Sequence, residues 1–320
     1  MNQAALLLDG STIYWYSVLL ALAVLAGVCF YLSCCTHQGI PLGSALFTAL
    51  MGMVLSMVLS RLLYWYCRPS TFSSWTRALT SLRTDTYALA GAFAGCGLAA
   101  LLTQGRRAGA LLDCMSVGGC AAIALGRLAC FATTADRGPV LLQLRRLPWA
   151  APITVASGAV EYRLATFVLQ SIVAAVLFLI LLALLFGKKN RRAGDLTLFF
   201  LLVYCSSQVV LDSTRYDALH IRSNGFISMV QLLCAIVLVV CFLLLAVRAA
   251  KSRGMMGFRL PALILTALAL LGGAGYMEYY VQRHARLAAQ SYAIMSLCLA
   301  GILVICLCLY RMGRKQTITV

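Results

Sequence analysis

Acidic residues are scarce in this chain. Nine Asp and Glu stand against 26 Lys and Arg in 320 residues, a formal net charge of +17. Charged residues of both signs make up only 11%, where soluble domains carry about 25%. That shortfall excludes an ordinary water-soluble domain. Lysine is nearly missing, with only Lys188, Lys189, Lys251 and Lys315. Histidine is limited to His37, His220 and His284, and no Cys-x-x-Cys pair occurs. A structural zinc site is therefore not expected, and no cofactor is implied. The N-terminus lacks the basic start of a secretory signal peptide and carries Asp9 instead, so the first apolar run is read as retained. The internal repeat of many transporters is also missing. Basic residues are scattered over short loops without a reading motif, which argues against nucleic acid as a partner.

Apolar residues are abundant. They make up 62% of the chain, and the mean hydropathy is +0.91. They gather into stretches near the roughly 20 residues that cross a bilayer as a helix. Nine such spans are predicted: Ile13–Cys34, Pro41–Cys67, Tyr87–Thr103, Leu111–Thr134, Leu164–Phe186, Leu196–Leu211, Phe226–Val247, Leu260–Tyr276 and Ser291–Leu309. The third, sixth and eighth are short or glycine-rich. A transmembrane β-barrel would instead show short alternating segments. The expected fold is an all-α integral membrane protein, a polytopic helical bundle. Cysteines such as Cys29, Cys96, Cys120, Cys234, Cys241, Cys298, Cys306 and Cys308 fall inside these runs, where Cys acts as a small hydrophobe.

The loops give an orientation. If the spans alternate, Arg106, Arg107, Arg191, Arg192, Arg248, Arg253, Arg259, Arg311, Arg314 and all four lysines share one side. The positive-inside rule makes that side cytoplasmic and puts the N-terminus outside. The outward side holds Arg68, Arg77, Arg83, Arg137, Arg145, Arg146, Arg163, Arg215, Arg222, Arg283 and Arg286, with no lysine. Arginine alone fits bidentate recognition of phosphate or carboxylate; contact with lipid headgroups is the plainer alternative. The longest outward connection, 134–163, contains Asp136-Arg137-Gly138-Pro139, Trp149 and Pro152. It reads as a small head lying on the bilayer.

Arg127 stands out. It is the one charge in the apolar run from Cys114 to Thr134. Hydrocarbon cannot solvate a guanidinium, so such a residue faces a polar cavity, a counter-ion or a phosphate, or snorkels to the headgroups. Arg61 also lies within an apolar stretch and asks for a partner.

At these positions the chain resembles the prolipoprotein diacylglyceryl transferase family. Gly126-Arg127-Leu128-Ala129-Cys130-Phe131 followed by Gly138 resembles its G-R-x-G-N-F signature and later Gly. Trp15-Tyr16-Ser17 resembles W-Y-G, and Ser60-Arg61-Leu62-Leu63-Tyr64 resembles G-x-R-L-x-Y. Ala90-Gly91-Ala92-Phe93-Ala94-Gly95 resembles H-G-G-L-x-G, and Asp113 the Asp that opens the signature helix. Tyr204, Asp212 and Arg215 match three positions of the late Y…R-x-x-x-E-x-x-R helix, with Gln208 in place of its first Arg. Ile227–Leu232 resembles L-S-x-x-Q-x-L. The family's His falls on Ala90, or on Tyr87 in a shifted alignment, and its signature Asn falls on Cys130.

The resemblance implies a core of about seven spans over residues 1–250 and an additional hairpin over 251–320. It implies transfer of a diacylglyceryl group from phosphatidylglycerol to the lipobox cysteine thiol of secreted prolipoproteins. The partners would be phosphatidylglycerol, prolipoprotein signal peptides and membrane lipids, in the bacterial inner (cytoplasmic) membrane. Arg127, Asp212, Tyr16 and Tyr204 are the expected catalytic residues. Arg127, Arg215, Arg61, Gly138 and Gln208 are the expected substrate-binding residues. The alternative is a degenerate relative that binds phospholipid or lipopeptide without turnover.

Overall fold

The structure, a computed structural model, describes residues 4–8, 11–81, 86–141, 150–154, 158–187, 191–221, 227–253, 259–284 and 288–314. Arg83, Arg145, Arg146, Trp149, Lys188, Lys189, Arg222, Arg286 and Lys315 lie outside the described residues. The chain forms two compact units, Met1–Phe200 with Thr214–Gly225, and Leu201–Ser213 with Phe226–Val320.

The first unit opens with an antiparallel hairpin, β1 (Ala4–Leu8) and β2 (Ser11–Tyr14). Then come α1 (Trp15–His37), α2 (Leu42–Cys67), the short α3 (Trp75–Thr80), α4 (Leu89–Gln104) and α5 (Ala108–Leu128). A 3-10 turn, Ala129–Ala132, leads out of α5. A second hairpin, β3 (Ala150–Thr154) and β4 (Val160–Leu164), precedes α6 (Thr166–Gly187). The boundary between the units runs through α7 (Asp195–Ser213). The second unit adds α8 (Met229–Arg253), α9 (Arg259–His284) and α10 (Ala288–Arg314).

Eight of these helices are long and apolar enough to cross a membrane. Of the nine expected spans, the third is the exception. Its helix α4 has 16 residues, about 24 Å at 1.5 Å per residue, short of a hydrocarbon core near 30 Å. The head expected over 134–163 contains the β3–β4 hairpin. Neither hairpin was signalled by a strand-like run of alternating residues.

Small residues set the helix packing, as expected where apolar side chains gain nothing by leaving lipid. A Cβ on Gly118 of α5 would lie 2.4 Å from the Gly27 carbonyl of α1, and one on Gly27 2.8 Å from the Gly118 carbonyl. The two backbones are thus in direct contact. Between α2 and α4, Cβ atoms on Gly91 and Gly95 would meet the backbone of Ser60 and Ser56 at 2.5 and 2.3 Å. That approach lets Ser60 Oγ donate to the Ala88 carbonyl at 2.5 Å and Ser56 Oγ to the Ala92 carbonyl at 2.8 Å.

Polar groups tie helix ends. Asp113 on α5 accepts from the Gly194 and Thr197 amides at 2.9 and 2.8 Å and from Thr197 Oγ1 at 2.8 Å. Its carboxylate therefore caps the start of α7, where the helix dipole favours negative charge. In the second unit, Ser228 and Gln231 form a capping box at the start of α8. Gln231 N–H donates to Ser228 Oγ at 3.1 Å, and Ser228 N–H donates to Gln231 Oε1 at 2.9 Å. Ser228 Oγ also donates to Asp212 Oδ2, joining the end of α7 to this cap.

Candidate active site

The site lies at the end of the first unit where α1 and α6 begin and α5 ends. Arg127 occupies the last turn of α5, where carbonyl ends favour a cation. The chain leaves the 3-10 turn and reaches Asp136, which has φ +57. This left-handed conformation is uncommon outside glycine, though Asp tolerates it better than most. Asp136 is held by its backbone on both sides. Its N–H donates to Asp217 Oδ2 at 3.0 Å, and its carbonyl accepts from Phe167 N–H at 3.2 Å.

The Asp136 carboxylate is the centre of the site. Oδ2 accepts from Arg127 Nη1 at 2.5 Å and from the Cys130 thiol at 3.3 Å. Oδ1 is 2.5 Å from Arg215 Nη2. Arg215 Nε in turn donates to Asp217 Oδ1 at 3.2 Å. The sequence Arg127–Asp136–Arg215–Asp217 is thus a run of alternating charge drawn from α5, the loop after it and the segment after α7. Tyr16, in the first turn of α1, packs against the cluster of Cys130, Ala151, Ala165 and Phe167 and lies within electrostatic range of Asp136, Arg127 and Arg215.

Burial alone would push the Asp136 carboxyl up. The two guanidiniums outweigh it and hold the group at about 2. Asp136 is therefore ionised throughout the physiological range. It serves as a counter-ion and orienting group and is a weak base.

Of the residues expected from sequence, the structure brings Arg127, Arg215 and Tyr16 together. Gly138 stands beside them as a packing point. A Cβ there would lie 2.9 Å from Leu164 Cβ and 3.0 Å from both Thr166 Oγ1 and the Thr214 carbonyl. Its N–H donates to the Leu164 carbonyl at 2.7 Å. Arg61 is 1% exposed. Its Nη1 donates to the Ala78 carbonyl at 3.1 Å, its Nη2 donates to Tyr87 Oη at 2.9 Å, and its guanidinium lies 4.3 Å over the Tyr87 ring. It braces α2 against α3 and the approach to α4, and it engages the tyrosine considered as a substitute for histidine. Tyr204, Gln208 and Asp212 belong to the second unit. They follow one another at helical four-residue spacing on α7, and Asp212 takes the Ser228 contact described above.

Sequence reasoning missed Asp136, Asp217 and the Cys130 contact. A usable signal existed for one of them: with nine acidic residues in the whole chain, an Asp soon after a buried Arg is a natural counter-ion. Among the described residues, no group of three or more His, Cys, Asp or Glu is arranged to hold a metal ion.

Two converging guanidiniums in a mostly buried setting suit an oxyanion. The family model for prolipoprotein diacylglyceryl transferase matches residues 3–247. That stretch contains Tyr16, Arg127, Cys130, Asp136, Arg215 and Asp217 and ends inside α8, so α9 and α10 lie beyond it. The chain belongs to the prolipoprotein diacylglyceryl transferase family.

Proposed function

We propose that this protein transfers a diacylglyceryl group from phosphatidylglycerol to the lipobox cysteine of secreted prolipoproteins, at the outer face of the bacterial cytoplasmic membrane. The observation that carries the reading is the convergence of Arg127 and Arg215 on the two oxygens of Asp136, both at 2.5 Å. A phosphodiester arriving beside that carboxylate meets two guanidiniums already oriented. Little reorganisation is needed as charge grows on the leaving phosphate.

The chemistry follows from these groups. The substrate thiol attacks the terminal carbon of the glyceryl moiety, the S–C bond forms and the C–O bond to phosphate breaks. Glycerol-1-phosphate departs and takes up the proton that the thiol gives up. The arginine pair stabilises the phosphate charge. The Cys130–Asp136 contact supports a setting able to accept an S–H donor. Tyr16 is a candidate headgroup contact, and the loops that carry the lysines are assigned to the cytoplasm.

A second reading has a specific observation behind it. Ala90 and Cys130 stand where the family's motifs carry His and Asn. A relative without turnover would bind phosphatidylglycerol at the same arginines. Expression in cells depleted of their own transferase separates the two readings. Restored lipoprotein lipidation supports the enzyme. Phosphatidylglycerol binding by the purified protein without restoration supports the binding protein.

A further inference from the structure

Arg137 follows Asp136 and is 5% exposed. Its described hydrogen bonds go to main-chain carbonyls. Nη2 donates to Thr133 O at 2.7 Å and Nη1 to Pro152 O at 2.6 Å. Its guanidinium lies 5.9 Å from the centroid of the Phe167 ring. Its own carbonyl accepts from the Tyr216 amide at 3.1 Å. These contacts reach four separate segments: the exit from α5, strand β3, the first turn of α6 and the stretch after α7. The same segments carry or border Cys130, Asp136, Arg215 and Asp217. Burying a guanidinium is costly, and here two carbonyls from different elements offset part of that cost by taking the two ends of the fork, while Nε is buried without a hydrogen-bond partner among the described residues. Beside it, Asp136 holds a left-handed backbone, which persists only where the surroundings over-determine it.

We propose that Arg137 is a positioning residue that locks the β3–β4 hairpin to the loop after α5, and so fixes Asp136 and the arginine pair that Asp136 orients. The proposal rests on the reading that this pair holds the lipid phosphate. Arg137 itself does not touch the phosphate. Lysine is a poor replacement, because a compact ammonium on a flexible stem does not reproduce the separated, planar donors of the guanidinium fork.

The test uses the full-length protein in a zwitterionic detergent. Hydrogen exchange is followed at the Asp136 and Tyr216 amides, and binding of short-chain dihexanoyl phosphatidylglycerol is measured in parallel. In Arg137→Gln, both amides should exchange at least about tenfold faster, while amides in the middle of α1, α5 and α6 stay unchanged, and lipid affinity should fall about tenfold. Arg137→Lys should show the same two losses. It also serves as the folded variant should Arg137→Gln loosen the whole protein. Wild-type exchange at both amides in a folded variant overturns the proposal. Faster exchange with wild-type lipid affinity overturns it as well, because the strut would then not reach the arginines. If the wild-type protein binds no phosphatidylglycerol at all, the proposed function fails, while the exchange measurement still decides whether Arg137 holds Asp136.

Discussion

Arg215 Nη2 lies 2.5 Å from Asp136 Oδ1, while the other oxygen of the same carboxylate takes Arg127. One loop carboxylate thus holds two arginines from distant parts of the chain at a common point. The arrangement explains how the first unit keeps two guanidiniums close together at a mostly buried position. Each is paired, so neither meets the full penalty of an isolated buried charge.

Arg127→Ala should abolish diacylglyceryl transfer. Arg127→Lys should also impair it, because an ammonium loses the forked geometry toward both carboxylate and phosphate. Removal of a preorganised donor at an oxyanion site lowers turnover by roughly 100-fold or more. Steady-state lipidation of a lipobox peptide measures this. An Arg127→Lys enzyme with wild-type turnover would show that the fork is not used.

The ion pairs predict a pH signature. The Asp136 carboxyl is held at about 2, against about 3.9 for an unperturbed Asp. A depressed acid contributes stability above its unfolded value and loses it as pH falls through the folded one. The groups facing it are Arg127 on α5, Cys130 just beyond that helix, Arg215, Asp217 and, from α1, Tyr16. Asp136→Asn should therefore be less stable than wild type by about 2–3 kcal/mol near neutral pH. The gap should narrow below about pH 4 and close near pH 2. Thermal unfolding of both proteins across that range reads the convergence; a constant gap would contradict the pairing.

The α1–α5 contact gives a test of packing. A side chain on Gly118 has no room, since its first carbon would already sit 2.4 Å from the Gly27 carbonyl. Gly118→Val should destabilise the protein by about 3 kcal/mol or more, as overpacked cores do when backbone must shift. A Cβ on the neighbouring Gly119 would meet nothing within 4 Å, so Gly119→Val should remain within roughly 1 kcal/mol. Thermal midpoints in detergent compare the two.

In the second unit, Ser228→Ala removes the cap of α8 and a partner of Asp212. Stability should fall by about 1–2 kcal/mol. Ser228→Thr, which keeps the hydroxyl, should recover most of it. Equal losses in both variants would argue against the capping role.

Much of the fold was legible because bilayer-spanning helices write themselves as long apolar runs. The shortened α4 was hinted at by its glycines. The short strands were not, since β3 and β4 are only five residues each and follow no long alternation. Arg127 was legible because a charge in an apolar run is costly anywhere. Arg215 and Tyr16 came from matching family motifs. Asp136 was passed over because it looks like any loop acid; only the return of the chain after α7 brings Arg215 to it. The contact of Asp212 with Ser228 depends on how α7 meets α8, which spacing along one helix does not encode. The Arg137 strut was equally hidden, because its partners are backbone carbonyls that carry no residue signature.

The most direct measurement is glycerol-1-phosphate release by the purified wild-type protein, reconstituted with phosphatidylglycerol and a lipobox peptide. Release should require the peptide cysteine and match, mole for mole, the thioether formed on it. Arg127→Ala and Arg215→Ala should each reduce both products together. Phosphatidylglycerol binding without any release from the wild-type protein would rule out transfer at this site.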